Sequence, residues 1–282
     1  MVGSPVAHSL SPLLHGTAYD VLGLDWVYDA HEVAAPELAG FLAGLDDSWR
    51  GLSLTMPLKR TVVPLLDAMT DRALQARAAN TLVLEDGRRV GHNTDVPGAA
   101  RALRERDPGP VERAVVLGGG ATAASALLGL ADLGCRHATL LVRDVSRADE
   151  TVATAARHPA PPEVEVRPLA SAPQLSADVV VSTIPAAAQD DAVLALAERC
   201  RVVFDAIYDP WPTPLDRLTA RTGQVFVSGL DLLVHQAVLQ VELMTGVEQA
   251  PLEAMRAAGA AALAARSSTG PAEAPPRPRA TP

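Results

Sequence analysis

Four short apolar stretches separated by helical segments are the feature that most restricts how this chain can fold. They lie at 114–117, 138–142, 179–182 and 202–205 and consist mainly of Val, Leu and Ala. Strands that are apolar on both faces belong in a parallel sheet covered by helices on both sides. The sequence therefore predicts an α/β fold with a doubly wound parallel sheet in the middle of the chain.

A glycine-rich loop directly follows the first of these stretches. Its pattern is Gly118-x-Gly120-x-x-Ala123, and a helical segment begins within it. Glycines here let backbone amides approach a pyrophosphate at the positive end of a helix, and a plain tight turn is the alternative. The flanking strand and helix favour a dinucleotide site in a Rossmann-like domain. The residues expected to contact the dinucleotide are Gly118, Gly119, Gly120, Ala121, Thr122 and Ala123.

The residues after the second apolar stretch bear on the choice of cofactor. An NAD site usually has a carboxylate at this point for the ribose 2′-hydroxyl. Here Arg143 follows Val142, and Arg147 lies one helical turn further on. Two guanidinium groups suit the 2′-phosphate of NADP. Asp144 either repels that phosphate or caps the next helix, and we favour NADP.

The remaining chain combines helices with short strands. A helix is predicted from Ser11, as its N-cap, to about Leu22, and a hairpin over 81–90. A second helix is expected near Pro97, with Asp95 as a candidate N-cap. The chain divides into an α/β first part of one domain at 1–97, a nucleotide domain at 98–229, C-terminal helices at 230–265 and a disordered Pro-rich tail at 266–282.

Composition excludes several classes of function. The 282 residues carry a net charge of −9 without a strongly basic stretch, which argues against nucleic acid as a partner. No apolar stretch is long enough for a membrane span, and the first residues do not resemble a signal peptide. Cys135 and Cys200 lack metal-ligand spacing, as do the histidines, so no metal is expected. A reducing cytoplasm is the simplest location.

Three polar motifs stand before the nucleotide loop. They are Gly51 to Lys59, Ala79-Asn80-Thr81, and Gly91 to Asp95. An amine, a carboxylate and small polar groups can hold a polyhydroxylated molecule and transfer a proton to it. Taken singly, Lys59 would be interpreted as a solvated helix lysine. Together with a dinucleotide loop, the motifs suggest a dehydrogenase.

In their order along the chain, these motifs resemble the shikimate dehydrogenase family. The resemblance runs from Gly3 to about Gly246 and includes six motifs. They are Gly3 to Pro12, Thr55-x-Pro57-x-Lys59, Asn80-Thr81, Asn93-Thr94-Asp95, Asp205 to Leu215, and Gly229 to Ala237. The family reduces 3-dehydroshikimate to shikimate with NADPH. Its first and last chain segments form a substrate domain that faces the nucleotide domain across a cleft.

The resemblance implies a role for individual residues. Lys59 would be the general acid, and Asp95 would orient it and bind a neighbouring substrate hydroxyl. Ser9 and Ser11 would receive the substrate carboxylate; Ser11 could also be only an N-cap, whereas no local role is expected for Ser9. Thr55, Asn80 and Gln236 would bind ring hydroxyls. Tyr208 would lie near the nicotinamide or be a core tyrosine, and Gly229 would contact the cofactor.

The chain also departs from the family pattern. Ser53 stands where the family often has Asn, and Ala121 replaces a frequent Gly. Only Met1 and Val2 precede Gly3, so the first strand is either much shortened or begins upstream. Quinate/shikimate and aminoshikimate dehydrogenases are alternatives, and a non-catalytic ligand sensor is an alternative of another class. Monomer and homodimer both stay open.

Overall fold

The computed structural model describes residues 1–107 and 109–269. Its strands are β1 Val2–Gly3, β2 His31–Glu32, β3 Gly51–Ser53, β4 Ala68–Met69, β5 Thr81–Glu85, β6 Arg88–His92, β7 Arg113–Leu117, β8 His137–Val142, β9 Glu163–Pro168, β10 Val179–Ser182, β11 Val202–Asp205 and β12 Val225–Val227. Its α-helices are α1 Ser11–Leu22, α2 Leu38–Ala43, α3 Leu58–Thr61, α4 Asp71–Ala76, α5 Asp95–Arg106, α6 Ala121–Asp132, α7 Asp149–Ala155, α8 Asp191–Ala197, α9 Pro214–Thr222, α10 Gly229–Thr245 and α11 Leu252–Thr269.

The middle of the chain forms the predicted parallel sheet. Its strand order is β9-β8-β7-β10-β11-β12, and every neighbouring pair is parallel. The order reverses between β7 and β10, which is the arrangement that creates a ligand crevice at the carboxyl ends of the strands. The α/β fold with a Rossmann-like, doubly wound sheet is therefore confirmed.

The prediction did not identify the two edge strands of this sheet. In β9, Glu163, Val164, Glu165 and Val166 alternate charged and apolar side chains, and β12 has only three residues. An edge strand need not be apolar on both faces, so its sequence lacks the continuous pattern of a central strand. Two apolar cores cover the faces of the sheet. One includes Leu103 and Leu127, and the other includes Val193, Leu196 and Leu218.

The N-terminal region contains a smaller mixed sheet with the order β3-β5-β6-β4. The predicted hairpin is confirmed: β5 and β6 are antiparallel, and Asp86 and Gly87 in the turn both have positive φ, at 49° and 74°. Strand β1 is two residues long. It pairs in parallel with β2, and Val2 also bridges Leu54.

Both ends of the chain contribute to one apolar core. Leu14 and Ala18 of α1 pack with Val234 of α10 and with Met255 and Leu263 of α11. The helix α11 ends at Thr269, so the expectation that the disordered tail begins at 266 is wrong for 266–269. These four residues prolong an Ala-rich helix, and Ala is a strong helix former. The rest of the predicted tail, 270–282, lies outside the described residues.

Two predicted N-caps are wrong. Leu10 occupies the cap position of α1, and Ser11 is its first helical residue. Likewise Thr94 occupies the cap position of α5, and Asp95 is its first residue. The Asp95 carboxylate is therefore free for interactions other than capping. Among the described residues no helix combines the length and apolarity required to cross a membrane.

Candidate active site

Lys59 and Asp95 meet in the structure. Lys59 lies on the short helix α3, which Pro57 precedes, and Asp95 opens α5. The Lys59 ammonium Nζ donates a hydrogen bond of 2.7 Å to Asp95 Oδ2, and the two side chains are 17% and 9% exposed. An ion pair that is largely buried but still touched by solvent can hold an ammonium in a fixed direction and present it to a ligand.

Asn80 fixes the other oxygen of the carboxylate. Its Nδ2 donates to Asp95 Oδ1 at 3.0 Å and to Thr94 Oγ1 at 2.8 Å. Its Oδ1 accepts from the Thr94 backbone N–H at 2.8 Å and from Thr81 Oγ1 at 3.0 Å. Asn80 is only 1% exposed, so its amide lies inside the protein and holds Asp95 from behind.

Gln236 and Thr55 differ in whether their polar groups already form hydrogen bonds within the protein. Gln236 is buried; its Oε1 lies 3.3 Å from Asn80 Nδ2, whose two hydrogens are already shared with Asp95 and Thr94, and its Nε2 donates to the Leu233 carbonyl at 2.8 Å. Thr55 is half-buried, and its hydroxyl has no hydrogen-bonded partner within the described part of the chain. Thr55 is therefore the more available of the two for a ligand, and binding of a ring hydroxyl by either stays a prediction.

Ser9, Ser11 and Tyr208 come together at the start of α1. Ser9 Oγ accepts a hydrogen bond of 3.2 Å from the Ser11 backbone N–H. The expectation that Ser9 has no local structural role is therefore wrong, because its hydroxyl supports the first turn of α1. Burial raises the pKa of the Tyr208 phenol, while hydrogen bonding to Ser9 and to the Leu10 backbone lowers it. Tyr208 also packs on the apolar core formed by the chain ends.

The glycine loop has the geometry that a pyrophosphate requires. Gly118 has φ of +106°, and a Cβ added there would lie 2.4 Å from Thr183 Oγ1. Gly120 occupies the cap position of α6 without a side-chain cap, and a Cβ there would meet open space. The first amides of α6 are therefore directed at an open region, as at known phosphate sites. Thr151 Oγ1 donates to the Gly119 carbonyl at 2.7 Å and holds the loop from behind.

The next residues of the motif begin α6. Ala121 and Thr122 are half-buried in its first turn, whereas Ala123 is fully buried. A larger side chain than Ala123 would separate the helix from the sheet, which explains a small residue at the third motif position.

Arg143 and Arg147 are both exposed at the end of β8. Neither guanidinium has a hydrogen-bonded or ion-paired partner in residues 1–107 and 109–269. Asp144 caps the following 3₁₀ turn, since its Oδ1 accepts from the Ser146 N–H and hydroxyl. Of the two interpretations of Asp144, the structure supports capping. Arg147 lies close enough to Asp144 for its charge to help lower the pKa of that carboxyl. Binding of a 2′-phosphate by Arg143 and Arg147 stays a prediction.

Gly229, at the start of α10, is required for close packing. A Cβ there would lie 2.7–2.8 Å from backbone atoms of Ala206 and Ile207. Ser228 and Asp231 form a reciprocal capping box around it. A role of Gly229 in cofactor binding stays a prediction.

Gln240 and Tyr28 also join the hydrogen bonds behind the site, although neither was predicted as a site residue. Gln240 is 1% exposed and donates to the Asn80 carbonyl and to Thr81 Oγ1, while Tyr28 donates to Ser53 Oγ. A signal for Gln240 was present, because it lies four residues after Gln236 on an otherwise apolar helix and so shares its face. Tyr28 lies outside regular structure and gave no such signal.

No cluster of three or more His, Cys, Asp or Glu side chains suited to a metal occurs in the described ranges. A cavity of about 970 Å³ bordered by Tyr28, Asp29 and Trp49 contains neither Lys59 nor Asp95.

Comparison with known proteins identifies relatives over nearly the whole chain. Residues 1–82 match the family model "Shikimate dehydrogenase substrate binding domain", and residues 229–258 match "Shikimate 5'-dehydrogenase C-terminal domain". A shikimate dehydrogenase (NADP(+)) of Geobacter metallireducens is 35% identical, with 89% of this chain and 92% of the relative covered.

Two solved structures are similar in fold. The shikimate dehydrogenase of Mycobacterium tuberculosis is 39% identical, with a TM-score of 0.83 over 93% of this chain and 97% of that one. A quinate dehydrogenase of Corynebacterium glutamicum in complex with NAD is 26% identical, also with a TM-score of 0.83, over 92% and 97%.

Proposed function

Because this chain belongs to the shikimate dehydrogenase family, we propose that Lys59 and Asp95 catalyse its reaction, the NADPH-dependent reduction of 3-dehydroshikimate to shikimate. The observation that carries the proposal is the 2.7 Å contact between Lys59 Nζ and Asp95 Oδ2, backed by Asn80. A solvated lysine would not be held in this way. The pair supplies a directed proton donor beside hydroxyl-binding groups.

Lys59 donates the proton in this mechanism. When bound, NADPH supplies the hydride to the ketone carbon. The ketone oxygen gains negative charge in the transition state, and the Lys59 ammonium stabilises that charge and transfers a proton to the oxygen. Asp95 keeps the ammonium pointed at the oxygen and accepts a hydrogen bond from an adjacent ring hydroxyl. In the reverse direction the neutral Lys59 amine takes the proton back.

The start of α1 is proposed to receive the substrate carboxylate. The hydroxyls of Ser9 and Ser11, at the positive end of the α1 dipole, are suited to an anion. Tyr208 closes this side through its contact with Ser9. Thr55 and Gln236 are proposed to recognise ring hydroxyls, together with Asn80.

The residues that would hold NADP(H) fit it. The open α6 N-terminus would take the pyrophosphate, and Arg143 and Arg147 would take the 2′-phosphate. This favours NADP over the NAD of the quinate dehydrogenase relative. The proposal also places the enzyme in the cytoplasm, where the free, buried Cys135 and Cys200 fit a reducing environment.

The decisive test is NADP⁺ reduction with shikimate and quinate in parallel. We expect a clearly higher kcat/KM with shikimate. A higher kcat/KM with quinate would identify quinate, and not shikimate, as the preferred substrate. If NADP⁺ is reduced with neither compound, the result would favour a ligand sensor. Binding of shikimate without turnover, measured by calorimetry, would separate that sensor from a protein that does not recognise the ligand.

A further inference from the structure

A buried hydrogen-bond chain runs behind the catalytic pair. We define it as Tyr28, Ser53, Gln240, Thr81, Asn80 and Asp95. Apart from Tyr28, which is half-buried, each member is at most 6% exposed. The chain crosses from the segment before β2 through β3, α10 and β5 to α5. It rests on the function proposed above, since it ends on the carboxylate that holds Lys59.

The direction of each hydrogen bond in this chain is fixed by a backbone carbonyl. Gln240 Nε2 lies 3.2 Å from the carbonyl oxygen of Asn80, which can only accept. Gln240 must therefore turn its NH₂ group to this side, and its Oε1 faces Ser53. Ser53 Oγ then donates to Gln240 Oε1 at 2.8 Å and accepts from the Tyr28 hydroxyl at 2.6 Å.

The orientation passes from Gln240 to Asn80 through Thr81. Gln240 Nε2 also donates to Thr81 Oγ1 at 3.0 Å, so the Thr81 hydroxyl hydrogen is left to point at Asn80 Oδ1, 3.0 Å away. The Thr94 N–H donates to the same oxygen. With Oδ1 engaged in this way, Asn80 presents its NH₂ group to Asp95 Oδ1.

We propose that Gln240 and Thr81 are positioning residues that lock the Asn80 amide with its NH₂ group towards Asp95. The opposite orientation of Asn80 would bring two acceptor oxygens together, Asn80 Oδ1 and Asp95 Oδ1. It would also leave the Thr81 hydroxyl and the Thr94 N–H opposite an NH₂ group. Asp95 would then lose a hydrogen bond and could turn away from Lys59.

Gln240 complements the unusual Ser53. The Ser53 hydroxyl lies between the Tyr28 hydroxyl and Gln240 Oε1, and Gln240 from α10 continues the hydrogen bonds to Thr81. His15 stacks on the Tyr28 ring at 3.9 Å, and its Nδ1 bonds the Ser11 carbonyl. The buried hydroxyls and amides thereby satisfy one another, and a buried polar group without a partner would be costly.

The test compares Thr81→Val with Thr81→Ser in the full chain. Valine keeps the shape of threonine but lacks the hydroxyl, whereas serine keeps the hydroxyl. For Thr81→Val we expect kcat with shikimate to fall roughly five- to tenfold, about the effect of one lost hydrogen bond, with the KM for NADP⁺ unchanged. Thr81→Ser should recover kcat to within about twofold of the original protein. Thr219→Val is the matched control, because Thr219 is equally buried but bonds only the Asp216 carbonyl of its own helix.

Crystal structures of the ligand-free variants supply a measurement that does not depend on turnover. In Thr81→Val and in Gln240→Leu we expect Asn80 Nδ2 to leave its 3.0 Å contact with Asp95, whereas in Thr219→Val it stays. The proposal is overturned if Thr81→Val keeps kcat within about twofold, if Thr81→Ser is as slow as Thr81→Val, or if Asn80 keeps its contact in both crystal structures. An original protein inactive on shikimate would instead refute the proposed function, and the crystal structures would still decide the role of Gln240.

Discussion

At the scale of single residues, the contact between Lys59 and Asp95, the proposed catalytic pair, depends on where two helices begin. Pro57 comes directly before the turn of helix that carries Lys59, and Thr94 occupies the cap position that leaves Asp95 free. The types of residue in the site were predictable from sequence, since Lys59, Asn80 and Asp95 each lie in a short polar motif. The 2.7 Å contact was not, because it joins side chains of α3 and α5 that are 36 residues apart in the sequence.

The first prediction concerns Lys59. Lys59→Ala should lower kcat on the order of a hundredfold or more, because the developing alkoxide loses its proton donor, while substrate affinity stays nearly intact. Steady-state kinetics and calorimetry with shikimate measure the two effects. Arg60→Ala is the control on the same helix, as Arg60 pairs with Glu150 outside the site. Turnover of Lys59→Ala near that of the original protein would remove Lys59 from the mechanism.

The second prediction concerns cofactor choice. Replacing Arg143 and Arg147 by Ala should reduce kcat/KM for NADP⁺ roughly tenfold to a hundredfold and leave that for NAD⁺ nearly unchanged, because charged hydrogen bonds to the 2′-phosphate are lost. Arg136→Ala is a matched control at the opposite end of β8, where the arginine is also exposed. If the original protein already prefers NAD⁺, the argument from these two arginines is wrong.

The third prediction concerns acid stability. Burial lowers the pKa of His15 to about 4, from an ordinary value of 6.5. The unfolded chain therefore binds more protons than the folded one between these values, and stability is lost as the pH falls through this window, by about 3 kcal/mol at most. Denaturant unfolding at a series of pH values should give a flatter profile for His15→Phe. The exposed His8→Gln should keep the original slope, and an unchanged slope in His15→Phe would contradict the assignment.

At the scale of elements, α5 occupies a special place. One side of it meets α10, where Gly98 lies against Gln236, and another meets α6, where Gly129 lies against the Val96 carbonyl. Its first residue is Asp95. Because α5 is closely packed on both sides, a shift of this helix would also move the Asp95 carboxylate.

The fourth prediction tests this packing. A Cβ at Gly98 would lie 3.0–3.2 Å from Gln236 atoms, so Gly98→Ala must move α10 by a few tenths of an ångström. We expect about 1–2 kcal/mol of destabilisation and a lower kcat/KM for shikimate. Gly16→Ala, where the same Cβ meets nothing within 4 Å, should instead stabilise by roughly 0.5–1 kcal/mol. Denaturant unfolding measures the stability of both variants. If Gly98→Ala stabilised the protein as much as Gly16→Ala, the α5–α10 contact would not be tight.

Strands were predicted correctly where burial on both faces requires a run of apolar residues, and they were missed where it does not. The central strands β7, β8, β10 and β11 are mainly apolar and were predicted within one residue. The edge strands and the two-residue pairs in the N-terminal region carry no such pattern. They are held by partners distant in sequence, which a single sequence does not specify. The helical spacing from Gln236 indicated the face of Gln240, but its partners on β3 and β5 were not specified by the sequence.

At the scale of the whole molecule, two units differ in how the chain builds them. The six-stranded parallel sheet comes from one continuous segment, whereas the apolar core around α1 comes from both ends of the chain. Residues 113–227 contain all six strands of the parallel sheet. The core around α1, in contrast, is completed by α10 and α11. A sequence pattern locates each segment, but the return of the last helices to the first was available only from the resemblance to a known family.

The fifth prediction tests whether these two units open separately. Cys135 and Cys200 lie on opposite faces of the parallel sheet, and burial raises the pKa of both thiols to about 11. A thiol reagent should therefore label neither in the native protein and both in denaturant. In mild denaturant NADP⁺ should slow labelling, since it stabilises the nucleotide unit, and shikimate should not. If shikimate alone slowed labelling as much as NADP⁺ does, the two units would not open separately. Labelling of Cys135→Ser shows which signal belongs to which thiol.

The shared core of the chain ends has a consequence for how the protein is made. Synthesis proceeds from the N-terminus, and domains generally fold as they emerge. The helix α1 leaves the ribosome long before α10 and α11, which cover its apolar side. The parallel sheet can close while the last helices are still being translated. During this interval Leu14 and Ala18 lack their partners on the last two helices, so the apolar side of α1 is open to premature contacts.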